Sequence, residues 1–386
     1  MNRDSQPLLT AQFVLLLVIT SIVGLSFSTY FLLPKFLAVE LAADAAIIGG
    51  LSGVSLLASV ICMPIAGVQI DRHGRRLFVA IGALLFALAC AGYLMVDHVG
   101  PLLWALRVLQ GLAWPLFYLG LSTLATDIAP KARMGQAIGM FGAIMISTNA
   151  LGPALAEWGA HLFGWQAVFG ATVAAALLAA LLAGFLREQH QPQPREETTT
   201  MLELVRRPGL KRVLIVTVMV GWTFGAMFTF YQPWALASGF EQVSMFLVAF
   251  AGCAMVVRMG LGGIADRFGR MRVAQATLLL YIAASLSLIW LPTLGLFVTG
   301  GLLGIAHGIF FPAFNAVAVD YALESERGKA MAAYNGAFNI GFAAGSYLLG
   351  YVAIATSFPT IFLISAVTCA AAFVLLVSSV AEHRHC

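Results

Sequence analysis

Arg107, Glu157 and His307 are ionisable side chains inside long apolar stretches of this chain. Each handles charge differently. An arginine stays protonated and demands acceptors wherever it is buried. A carboxylate changes charge with its surroundings, and a nearby cation favours its ionised form. Histidine changes charge near neutrality. A carboxylate that holds an arginine when ionised and frees it when protonated can couple proton binding to movement. That is the expectation for Glu157 with Arg107, with His307 as a second proton carrier or a ligand contact. Structural alternatives stand beside each. Arg107 can snorkel to the nearer interface, Glu157 can sit at a wet rim, and His307 can be a hydrogen-bonded core residue.

A second chemistry lies in a charged turn that occurs twice. Gly67-Val-Gln-Ile-Asp71-Arg72-His-Gly74-Arg75-Arg76 nearly recurs half a chain later as Gly262-Gly-Ile-Ala-Asp266-Arg267-Phe-Gly269-Arg270. Glycine permits close helix packing at Gly67 and a tight turn at Gly74. A carboxylate such as Asp71 is favoured beside the positive N-terminus of a helix. A third set is aromatic and amide: Tyr30, Trp114, Tyr118, Trp222, Tyr231 and Phe311, with Asn149, Asn335 and Asn339. Rings with a few amides suit an amphiphilic organic ligand; core packing or a lipid-facing surface explains the same residues.

The elements that must position these groups follow from composition. Hydrophobic residues make up 61% of the 386 and charged residues 10%. Soluble domains carry about 25% charge, so lipid is the main solvent. Uncharged runs reach the roughly 20 residues that cross a bilayer core. Lipid offers the backbone no partners, so such runs are helices. Twelve segments are predicted, at 10–34, 46–69, 76–96, 99–125, 134–160, 165–186, 210–233, 243–265, 272–292, 295–319, 328–353 and 357–380. All but three of the 21 Lys and Arg fall on the face of the termini, the exceptions being Lys35, Arg107 and Arg258. This bias puts both termini in the cytoplasm. The predicted architecture is an all-α membrane protein, with six-helix halves at 1–186 and 210–386 and a cytoplasmic linker at 187–209. The pairs Gly135/Gly139, Gly221/Gly225, Gly300/Gly304 and Gly341/Gly345 have the spacing that lets membrane helices approach closely.

With these motifs in place the chain resembles the major facilitator superfamily over essentially its whole length. The turn at Gly67, Asp71, Arg72, Gly74, Arg75 and Arg76 matches that family's signature between helices 2 and 3. Gly262, Asp266, Arg267, Gly269 and Arg270 match its weaker second copy. Arg107-Val-Leu-Gln110-Gly111 looks like the Arg-x-x-Gln-Gly motif of proton-coupled members. Gly152-Pro153 in segment 5 looks like the core of the antiporter motif, which departs here by carrying Ala156-Glu157 where a glycine pair is usual. Segment 1 also lacks the acidic residue many proton-coupled relatives carry. The resemblance implies alternating access by rocking halves around a midplane site. It also implies cytoplasmic latches, Asp71 toward segment 11 and Asp266 toward segment 5, and a cavity lined by segments 1, 4, 7 and 10. It points to a monomer in a bacterial inner membrane that exports a small organic compound against protons. Proton-coupled uptake of a nutrient is the alternative; a receptor or membrane enzyme is more remote.

Other classes have little to stand on. There is no phosphate-binding loop of the Walker kind and no extramembrane domain for an ATPase. Cys62, Cys90, Cys253, Cys369 and Cys386 form neither a disulfide framework nor a metal site. No cofactor and no nucleic-acid partner are expected, because the basic residues mark topology.

Overall fold

The computed structural model describes residues 8–188, 199–261, 264–323 and 326–382. Outside these lie Gly262 and the linker residues Arg195 to Glu197, along with Arg3, Arg384 and Cys386; the side chain of Asp266 is also outside the description. The described chain is helical throughout. Its helices are α1 Ala11–Thr29, α2 Leu33–Val39, α3 Ala45–His73, α4 Arg75–Tyr93, α5 Pro101–Ile128, α6 Met134–Ala183, α7 Met201–Arg206, α8 Pro208–Ala237, α9 Ser244–Leu261, α10 Ile264–Phe268, α11 Arg270–Ile289, α12 Leu291–Asp320, α13 Arg327–Ala355 and α14 Phe358–Glu382.

Ten of these stretches are long and apolar enough to cross a membrane, counting α1 and α2 as one. The 50 residues of α6 exceed any bilayer, since the roughly 30 Å core takes about 20 residues at 1.5 Å each. Gly164 breaks α6 with φ +79°, ψ 164°, which yields two crossings. With the apolar α9, the described residues hold twelve crossings. The predicted gap at 160–165 thus closes to one glycine in a conformation L side chains rarely adopt.

Local signals set the other boundaries. Thr10 accepts from the Phe13 N–H to open α1, and Pro101 opens α5 where no N–H partner is needed. Gly74 separates α3 from α4 at φ +98°, and Gly269 precedes α11 at φ +89°. Both charged turns therefore reverse on the same left-handed backbone. In the linker, Thr200 and Glu203 form a reciprocal capping box for α7.

The described residues group into two units. One comprises residues 1–36 and 57–194, the other 37–56 and 195–386. In the first, α1 packs on α6 and α4 packs on both α5 and α6. In the second, α8 packs on α13, α9 on α12, and α11 on α12 and α14. Small residues make these approaches close. A Cβ on Gly221 or Gly225 would fall on the carbonyls of Phe338 or Phe342, and one on Gly341 or Gly345 on those of Val218 or Trp222. Gly300 and Gly304 lie in the same way against Phe246 and Phe250. Gly135, Gly139 and Gly67 differ: an added Cβ there meets nothing within 4 Å. The packing role expected of these three is not seen among the described residues.

Candidate transport and coupling site

The charged groups within the first unit form two networks. In the second turn of α5, Arg107 Nη1 donates to Gln110 Oε1 at 2.8 Å, one turn along the helix. The hydroxyl of fully buried Tyr93, on α4, donates to the same oxygen at 3.3 Å. On α6, Glu157 is 7% exposed. The sequence set Glu157 against Arg107; the structure adds Lys35, whose ammonium lies 2.6 Å from Glu157 Oε1. Lys35 follows a 3-10 turn at Tyr30–Leu32 and Pro34, which has no N–H to continue the helix ladder. The ion pair thus ties α2 to α6.

Aromatic rings surround these networks. Trp114 stacks on Phe27 at 4.0 Å and on Tyr118 at 5.0 Å. Tyr30 is a core residue: it is 5% exposed, packs on Tyr93 and Phe169, and meets the Thr172 hydroxyl at 3.2 Å. Asn149 is half-buried. Gly152 of the Gly152-Pro153 pair lies against Ser28 and the Leu25 carbonyl, leaving no room for a side chain. Beside it, a cleft of about 270 Å³ runs past Leu25, Thr29, Gly152 and Phe163. Its hydroxyls, Ser26, Thr29 and Thr172, all donate to backbone carbonyls, so their protons are already committed within the helices.

The second unit places its ionisable group inside a ring cluster. His307 Nδ1 is 2.7 Å from the Tyr281 hydroxyl. The imidazole lies 4.5 Å from the ring of Phe224, 5.1 Å from Phe311 and 5.6 Å from Phe338. Trp222 is half-buried, and its indole N–H finds no acceptor among the described residues. Tyr231 is fully buried and stacks on Phe246 at 4.0 Å. Asn335 donates to the Met331 carbonyl of its own helix, and Asn339, one turn on, is half-buried.

The charged turns sit at helix ends. Asp71 and Arg72 are exposed. Arg75 turns inward: its Nε is 2.9 Å from Asp127 Oδ2, and its Nη1 is 3.5 Å from Glu188 Oε1. Glu188 also accepts from the backbone N–H groups of Arg75 at 2.7 Å and Arg76 at 3.0 Å. It caps α4 where Gly74 has no side chain to do so, and a carboxylate at a helix N-terminus is favoured. In the second unit Arg267 is exposed, and Arg270 Nη1 lies 2.6 Å from Asp320 Oδ1. Nearby, Glu326 is 1% exposed. Arg207 grips it with two nitrogens at 2.7 and 2.8 Å, Thr199 adds a hydroxyl at 2.6 Å, and the Leu323 N–H donates at 3.0 Å. Lys329 reaches the Thr199 carbonyl. These donors, Arg207 foremost, hold the Glu326 carboxyl down to about 2.

Sequence reasoning missed Lys35, Asp127, Glu188, Asp320 and Glu326 as structural partners. The repeat itself could have revealed two of them, because Asp127 and Asp320 occupy matching places after the charged turns.

The profile of the Major Facilitator Superfamily matches residues 14–301 and 294–385. The chain is 27% identical over 329 residues to the multidrug resistance protein MdtG of Enterobacter lignolyticus (strain SCF1), covering 81% of this chain and 77% of that one. It is 25% identical over 279 residues to the multi-drug resistance efflux pump PmrA homolog of Lactococcus lactis subsp. lactis (strain IL1403), covering 68% and 67%. Among solved structures, the nucleoside transporter NupG superposes with a TM-score of 0.78 at 16% identity, over 96% of this chain and 99% of that one. The human organic anion transporter MFSD10 gives 0.68 at 16%, over 96% and 100%.

Proposed function

This chain belongs to the major facilitator superfamily and is a multi-pass membrane transporter, and on that premise we propose that it exports a small, largely aromatic organic compound in exchange for protons. One observation carries the reading. Each unit joins a ring cluster to an ionisable network: Phe27, Trp114 and Tyr118 with Arg107, Gln110 and Tyr93 in one, and Phe224, Phe311 and Phe338 with His307 and Tyr281 in the other. Likeness to two multidrug efflux proteins supports the outward direction.

In this mechanism Glu157 is the proton acceptor. Ionised, it holds Lys35; protonated, it releases that ammonium and with it the outer end of the first crossing. Arg107 supplies fixed positive charge within the same unit, and His307 carries or senses a proton among rings that also bind substrate. Asn149 in the first unit, and Trp222 and Asn339 in the second, are the polar groups that each unit can offer to an otherwise apolar guest. The charged turns around Asp71 and Asp266 act as cytoplasmic gates. Both termini face the cytoplasm of a bacterial inner membrane, and the monomer is the working unit.

Proteoliposomes with an imposed pH gradient test this directly, loaded with a panel of amphiphilic cations, aromatic acids and sugars. An inward proton gradient drives export of a panel member. Arg107→Ala and Glu157→Gln reduce that gradient-driven rate at least tenfold. Wild-type rates in both variants refute the coupling scheme, and co-directional movement of proton and solute assigns uptake instead.

A further inference from the structure

We propose that Gln110, Arg107 and Tyr93 form a recognition site for a hydrogen-bond acceptor: the carboxylate or carbonyl oxygen of an aromatic substrate. The proposal rests on the transport reading above and names the substrate chemistry. An arginine can only donate, so the Gln110 atom 2.8 Å from Arg107 Nη1 is Oε1. The Tyr93 hydroxyl donates to the same oxygen. The amide orientation is therefore set from outside, and Nε2 points away. That nitrogen is buried and has no partner among the described residues, in a side chain only 1% exposed.

A buried donor left unmade costs more than a hydrogen bond gains, and native structures rarely keep one without a reason. Here Arg107 and Tyr93 both donate to the Gln110 oxygen, and the buried donor without a partner among the described residues is Gln110 Nε2. What that nitrogen lacks is an acceptor. In a low-dielectric site a charged acceptor satisfies such donors best.

The neighbouring residues say what the acceptor is attached to. Gln110, Trp114 and Tyr118 follow one another at one-turn spacing, so they share a helix face. Trp114 and Tyr118 are half-buried and stack on each other. A flat aromatic body lies against that stack while its oxygen meets the Gln110 amide. The second half has no counterpart. The repeat that sets His307 against Trp114 sets Leu303 against Gln110 and Gly300 against Arg107.

Purified full-length protein in detergent tests the site with three probes of one shape: 1-naphthoate, 1-naphthamide and 1-methylnaphthalene. Thermal shift and tryptophan fluorescence report binding. The oxygen-bearing probes stabilise wild type, the hydrocarbon does not, and naphthoate against naphthamide tells whether charge is required. Gln110→Glu removes the orphan donor while still accepting from Arg107 and Tyr93. It therefore melts no lower than wild type, yet binds naphthoate at least tenfold more weakly. Gln110→Leu, which deletes the donor outright, loses the probe similarly and serves should the glutamate variant not fold. Equal binding by wild type and both variants overturns the proposal. So does a wild type that ignores all three probes, an outcome that leaves the amide holding water only. Loss of naphthoate binding in Gln110→Glu, with no gradient-driven movement of any compound in wild-type proteoliposomes, would uphold the site and refute the transport reading.

Discussion

The two halves carry the same charged turn but close different circuits around it. In the first, Arg75 is drawn in between Asp127 and Glu188 and is only 14% exposed, and Glu188 caps the next helix. In the second, Arg270 meets Asp320 with both partners open to solvent, at 38% and 55%. The buried acid there is Glu326, and its partner comes from the linker through Arg207. The membrane-embedded groups diverge in the same way. The first half buries an ion pair, Lys35 with Glu157; the second buries a histidine among rings. Repetition of a motif preserves its backbone, visible in the matched turns at Gly74 and Gly269, but not its partners. The partners determine what each charge is worth, since exposed pairs contribute little and buried ones are costly to break.

The largest effect should come from breaking the buried pair on one side only. Lys35→Met takes the ammonium away from the Glu157 carboxylate in a site 7% exposed, and should cost about 3 kcal/mol. Lys35→Met with Glu157→Gln should recover most of that loss. Melting of the purified variants measures both, and a single variant as stable as wild type would show the pair to be idle. Helix packing comes next. Gly341→Val drives a branched side chain into the Val218 carbonyl and should cost about 1–3 kcal/mol. Gly139→Ala, where nothing lies within 4 Å, should be neutral or stabilising by up to about 1 kcal/mol. If the two behave alike, close approach is not what the glycines of the second half provide.

The crossings were legible because lipid leaves so few choices. Long uncharged runs can only be helices, and the glycines between charged residues can only be turns. In the linker, the short helix Met201–Arg206 is announced by its capping residues Thr200 and Glu203. The ion pairs were not legible. Lys35 and Glu157 are 122 positions apart, and a lysine at a helix end reads as topology. Glu326 sits in a short polar loop, where an acid is ordinarily solvated; here Thr199 and Arg207 of the linker hold it. Gln110 was visible within a motif, but its unmet donor exists only once Arg107 and Tyr93 have claimed its oxygen. Pairings over such distances depend on helix rotation, which uniformly apolar helices do not encode in their periodicity.

Smaller effects compare the two arginine circuits. Asp127→Asn should lower stability by about 1 kcal/mol and Asp320→Asn by less than about 0.5, because the second pair is the more exposed. Equal losses would mean that burial of Arg75 does not strengthen its pair.

The last difference is a change with pH, read from Glu326. Its carboxyl titrates at about 2 in the folded protein, against roughly 4.3 in an unfolded chain. A depressed value stabilises the fold in full above the unfolded value, and the gain is lost as pH falls toward the folded one. Glu326→Gln should therefore melt below wild type by a constant margin from about pH 8 to about pH 5. Below that the margin should shrink, vanishing near about pH 2 as the wild-type carboxyl takes its proton. A margin for Glu326→Gln that stays constant into acid would mean the Arg207 clasp does not depend on the charge of Glu326, and the contrast between the halves would then rest on burial alone.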